Sequence, residues 1–77
     1  MNILNEIKNK YELYITNSGL HIINYIKIIE INNDMIGVLV YKHILNVKGK
    51  NILISKMDEN EMFIKGNIKG IDFIDYD

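Results

Sequence analysis

Few side chains in this 77-residue sequence are of types that do chemistry, and their spacing argues against most of it. His21 and His43 are the only histidines, and cysteine is absent. A transition-metal site needs three or four such ligands converging, and no spacing here supplies them, so no metal is expected. Asp58, Glu59 and Glu61 form an acidic run. As a general acid and base they would need a cleft that drives their pKa values apart, whereas the pattern places them at a solvated hairpin tip. Ser18 and Ser55 are the only serines, and neither has the flanking glycines of a nucleophile elbow. Gly66 and Gly70 have a spacing that matters on apolar helices, but they lie in a segment with strand periodicity. The chain is therefore expected to be no enzyme, with no cofactor and no small-molecule substrate.

Tyr14, Tyr25 and Tyr41, with lysines nearby, suggest a different use: a stacking platform for single-stranded nucleic acid or another ligand on a small barrel. Charge weighs against it. Nine basic residues are interspersed with ten acidic ones, for a net charge of -1, and that pattern lacks the positive field a phosphate backbone requires. Aromatic residues at strand positions are then read as cross-strand packing, and nucleic acid is not an expected partner.

Positioning any of these groups falls to β-strands. From residue 44 to 73 apolar side chains recur at every second position: Leu45 and Val47, Ile52 and Ile54, Met62, Ile64 and Ile68. That is the period of a half-buried strand. The glycines interrupt it and mark where the backbone turns or bends. This stretch reads as three strands, joined by a turn at 48–51 containing Gly49 and an acidic turn at 58–60. Beyond Ile68 the apolar parity shifts to Ile71 and Phe73, which predicts a β-bulge near Gly70, with Gly66 as another bend.

Earlier in the chain, residues 10–16 form a strand with Tyr11, Leu13 and Ile15 inward, and a turn at 17–19 ends on Gly19. Residues 20–25 follow, with Leu20, Ile22 and Asn24 on one face and His21, Ile23 and Tyr25 on the other. Apolar groups on both faces make His21, Ile23 and Tyr25 a candidate interaction surface. Residues 28–31 are a short strand closed by a turn at 32–34. The segment 35–41, with Gly37 inside it, is an almost unbroken apolar run and reads as a buried central strand.

Seven or eight short strands without a helix of note predict an all-β fold, a small antiparallel β-sandwich or alternatively a small β-barrel. The length allows one domain, at residues 10–77, after a lead-in at 1–9 that is either disordered or a short helix. A chain of this size buries only about 60% of its extended surface and has no disulfide to help it, so a dense β-branched core or a second copy must compensate. The 48% hydrophobic content suits both. Proline is absent, so edge strands are blunted by lysines such as Lys42 and Lys69 or are paired between subunits. The start has neither a signal-peptide core nor a membrane span, which predicts a cytoplasmic protein.

Residues 11–73 resemble the YabP/YqfC family of sporulation proteins of endospore-forming bacteria, and are closer to its YqfC-like branch. The resemblance rests on the Ile-Thr-Asn turn at 15–17, N-Y-x-x-I-x-E at 24–30, and Ile36 and Val38. It continues through L-x-V-x-G-x-N at 45–51 and Glu61 to I-x-G-x-I-x-x-I-x-F at 64–73, in register without a gap. Lys27 and His43 stand where the family usually has turn glycines. The resemblance implies a small β-sandwich made in the mother cell, without enzymatic activity, acting in spore-envelope formation. It also implies a cytoplasmic protein that docks on a membrane-protein partner at the forespore membrane; the homo-oligomer is expected from the two-faced strand at 20–25 and the proline-free edges.

Overall fold

The structure is a computed structural model and describes residues 9–76, so the predicted lead-in falls, Asn9 aside, outside the described residues. The period-two segments form six strands: β1 (Glu12–Thr16), β2 (Gly19–Ile23), β3 (Lys27–Ile31), β4 (Met35–Val40), β5 (His43–Met57) and β6 (Glu61–Asp75). They make one sheet in the order β1-β2-β6-β5-β4-β3, with every pairing antiparallel. The fold is all-β as expected. The strand number among the described residues is six rather than seven or eight, because 44–73 forms two long strands instead of three short ones.

The missing turn has a physical reason. Across the middle of the β5–β6 hairpin, Lys50 pairs with Asn67 and Leu53 with Lys65, so Asn51 and Ile52 oppose Gly66 alone. Asn51 absorbs the extra residue in a left-handed conformation with φ 53°, and Gly66 answers with φ 120°. The backbone N–H groups that a tight turn would use are engaged elsewhere. Gly49 donates to the carbonyl of Asp34 at 2.9 Å and Ile52 to that of Asn33 at 3.0 Å, so the β3–β4 turn grips this bend from outside. A side chain on Gly66 would lie 2.5 Å from the Asn51 carbonyl oxygen, and one on Gly49 2.2 Å from that of Asn67. The two strands approach so closely here that only glycine fits.

The bend divides the hairpin into two arms. In the near arm, residues 43–50 of β5 pair with 67–75 of β6, and β4 and β3 extend the sheet beyond β5. In the far arm, residues 62–65 of β6 pair with 53–57 of β5, and β2 and β1 extend it beyond β6. The arms share a single core. Leu20, Ile22, Met62 and Ile64 of the far arm cluster with Ile36, Val38, Val40, Leu45 and Val47 of the near arm and with Ile52 at the bend. Each arm thus acts as one leaf of a folded-over sheet, and their facing apolar rows exclude water.

One face differs from the alternation read in the sequence, and one residue on the expected face is left open. Asn24 takes φ 64° and ends β2, so the next side chain returns to the inner side: Tyr25 is buried, 5% exposed, and joins the core. Ile15, expected inward with Tyr11 and Leu13, is 70% exposed, while those two pack against the core. β1 is an edge strand, and Ile15 near its end is left open although it pairs with the buried Leu20. Near Gly70 the register shifts between Lys48 and Gly49, leaving Lys69 as the extra residue on β6.

Candidate interaction surface

On the outer face of the far arm, register aligns four side chains from four strands. Tyr14 of β1 pairs with His21 of β2, His21 with Phe63 of β6, and Phe63 with Lys56 of β5. The His21 ring stacks on Phe63 with centroids 3.9 Å apart and planes at 15°, and Tyr14 lies 5.9 Å away on the other side. The neighbouring row is Glu12, Ile23 and Glu61. An ionised carboxylate only accepts hydrogen bonds, so the 2.7 Å contact from His21 Nε2 to Glu61 Oε1 fixes the proton on Nε2. The Tyr14 hydroxyl donates to Glu12, and that bond together with the Glu12 charge holds the phenol above its usual pKa. The row is mostly aromatic and half open to water, and a depression beside it is lined by Leu20, Ile64 and Lys65.

The second histidine has a matching set of partners at the other end of the hairpin. His43 Nε2 lies 3.4 Å from Asp75 Oδ1, its Nδ1 lies 3.4 Å from the Tyr11 hydroxyl, and its ring meets Phe73 edge-on at 6.3 Å. Each imidazole is oriented by a carboxylate, a tyrosine and a phenylalanine. No group of three or more His, Asp or Glu that could hold a metal ion occurs among the described residues. Ser55, the hydroxyl nearest in register to Phe63, donates instead to the Phe63 carbonyl at 3.3 Å.

The predicted surface of His21, Ile23 and Tyr25 is thus brought together only in part. His21 and Ile23 share the outer face, both half-buried. Tyr25 does not. Its hydroxyl donates to the Asp58 carbonyl, and burial, then the charges of Asp58 and Glu59, raise its pKa. Tyr41 sits in the β4–β5 turn with the Lys42 ammonium 5.4 Å from its ring centre. Tyr14, Tyr25 and Tyr41 therefore form no common platform. The acidic run is a hairpin tip, as read: Asp58 Oδ1 accepts from the N–H groups of Asn60 and Glu61 at 2.8 and 2.9 Å. Of the singled-out glycines, Gly19 closes the β1–β2 turn, where a Cβ would meet the Ile64 carbonyl oxygen at 2.2 Å, and Gly49 and Gly66 form the bend. Gly70 has open space around it.

One surface had no signal in the sequence. Leu13 and Ile15 of β1 and Ile68, Ile71 and Phe73 of β6 line an open apolar groove between the edges of the two leaves. Parity assigns all five to the inner side, which they face, but among the described residues both strands are edges there, and Ile15 and Phe73 stay exposed. No helix among the described residues is long and apolar enough to cross a membrane. No protein-family model, no curated protein and no solved structure matches this chain.

Proposed function

We propose that this protein is a non-enzymatic assembly protein that acts in spore-envelope formation, associating with itself and docking on a membrane-bound partner from the cytoplasm of the mother cell. The observation that carries the reading is apolar side chains left open at strand edges, above all Ile15 at 70% and Phe73 at 54% exposure. A domain this small has little apolar area to spare, and an open apolar groove on it is a contact surface. The cellular setting rests on the resemblance of residues 11–73 to the YabP/YqfC family. Deleting the gene in its host, with heat-resistant spores counted and expression timed, tests the proposal. Loss of spores with expression confined to the mother cell supports it, and normal sporulation with vegetative expression overturns it.

The row of Tyr14, His21, Phe63 and Lys56 favours a second reading, in which bases of single-stranded nucleic acid or another planar ligand stack on the outer face. A fluorescence titration with single-stranded oligonucleotides at low salt checks it, and absence of binding removes it.

A further inference from the structure

Among the described residues, four strand segments lack a partner on one side: β1, β3, residues 53–57 of β5 and residues 67–75 of β6. Three of them are five residues long, and two of those three are also broken by a register shift, at Ile29 in β3 and at Ser55 in β5. Short or kinked edges of this kind resist pairing. The fourth differs. From Gly70 to Asp75, β6 pairs with β5 without interruption, and its other side is open.

The direction of its backbone groups can be read from one bond. The Tyr76 N–H donates to the Lys42 carbonyl, toward β5, and successive strand residues point their N–H and C=O to opposite sides. Gly70, Asp72 and Ile74 therefore bond to β5. Ile71, Phe73 and Asp75 direct theirs outward, toward whatever pairs with this edge. The side chains of Ile71 and Phe73 point into the groove with Leu13 and Ile15.

We propose that this edge pairs antiparallel with the same edge of a second copy of the chain, about a two-fold axis at Asp72. The inference deepens the self-association part of the proposed function and rests on that reading. Register selects the axis. Paired residues must share a face, so the alignment changes only in steps of two. With the axis at Ile71, Phe73 would face Lys69, and with the axis at Phe73, Ile71 would face Asp75. With it at Asp72, Ile71 of each copy faces Phe73 of the other, and Lys69, the extra residue at the register shift, comes level with Asp75. Apolar then meets apolar and base meets acid. The two Asp72 carboxylates come together on the outer face, but each is already held by its own Lys48 at 2.6 Å. The partner's Phe73 and Ile71 also carry apolar surface across the mouth of the groove, over Ile15.

Sedimentation equilibrium on the 77-residue chain is expected to give twice its 9.0 kDa mass. Ile71→Pro removes a donor that points away from β5 and places proline where edge strands accept it, so it should leave the circular dichroism spectrum intact and abolish the dimer. Phe73→Asp, at a half-open side chain, should raise the dimer Kd by about thirtyfold or more, and it carries the test if the proline variant misfolds. Lys69→Glu should weaken the dimer and the double variant Lys69→Glu/Asp75→Lys should restore it. A strict monomer at roughly 100 μM, far above the Kd of specific assembly interfaces, overturns the proposal. So does a dimer unmoved by both Ile71→Pro and Phe73→Asp, and failure of the charge swap to restore pairing overturns the Asp72 axis. These results are separate from the spore count: a folded dimer with normal sporulation would remove the cellular role and leave the interface standing.

Discussion

β5 and β6 exchange places across the bend. In the far arm β6 is interior and β5 is the edge; in the near arm β5 is interior and β6 is the edge. The two edges differ in sequence, ILISKM against GIDFID, and they are also finished differently. The β5 edge is kinked at Ser55 and carries Lys56, while the β6 edge beyond Gly70 runs straight with Phe73 half open. The ladder decides with composition which edge can pair, because a single extra residue turns the row of N–H and C=O groups out of line.

Several substitutions break or sharpen this contrast. The largest effect is expected at the bend that creates it. Gly66→Val combines φ 120° with backbone atoms at 2.5 and 2.7 Å from the new Cβ, and should leave the chain unfolded by far-ultraviolet circular dichroism. Gly70→Ala meets nothing within 4 Å and should be neutral or stabilising by about 0.5 kcal/mol. Next come the interior partners of each arm. Leu45→Ala and Ile64→Ala, both fully buried, should each cost about 2–5 kcal/mol in urea unfolding, whereas Leu53→Ala on the β5 edge should cost under about 1 kcal/mol. Similar losses in the two arms would show that they share one core; a loss confined to one arm would refute it.

Smaller effects follow at the far-arm tip. Tyr25→Phe removes the bond to the Asp58 carbonyl and should cost about 1 kcal/mol. The folded-state pKa of Tyr25 is raised above its ordinary 10.0, so the folded state holds this proton more tightly than the unfolded one. That contribution is intact below pH 10 and is lost as pH rises through the folded pKa. Alkaline unfolding should accordingly be less steep in the Tyr25→Phe variant, and an unchanged slope would refute the assignment. Smallest is Glu61→Gln, at the part-buried hydrogen bond from His21, which the amide oxygen can still accept; it should cost under about 1 kcal/mol and shift the His21 NMR resonances.

The strand class, the buried β4 segment and the turns at 17–19, 32–34 and 58–60 were legible because alternation and turn-forming side chains are local signals. The bend was not. Lys48, Gly49, Lys50 and Asn51 have the composition of a hairpin turn, and what makes them a bulge is the Asn33–Asp34 turn and Gly66, each about 15 residues or more away along the chain. Tyr25 was misplaced by one torsion, the left-handed Asn24, since a single such residue inverts every later face. The His21–Glu61 contact joins residues 40 positions apart and leaves no trace in either neighbourhood. The apolar groove failed for the opposite reason: parity put Ile15 and Phe73 on the correct face, but could not tell that they stay exposed.

The bent hairpin also sets an order in time. Its tip closes four residues, and every pair from Met57–Met62 to His43–Asp75 can zip outward from there without searching for a distant partner. β4 is joined to β5 by two residues and can follow the same way. β2 must instead find β6 across the whole intervening chain, Leu20 to Ile64, and loop closure over that span is slow compared with hairpin formation. Residues 12–23 should then be the last to gain amide protection during refolding and the first to lose it, so the aromatic row on the outer face exists only when the rest of the molecule is already built.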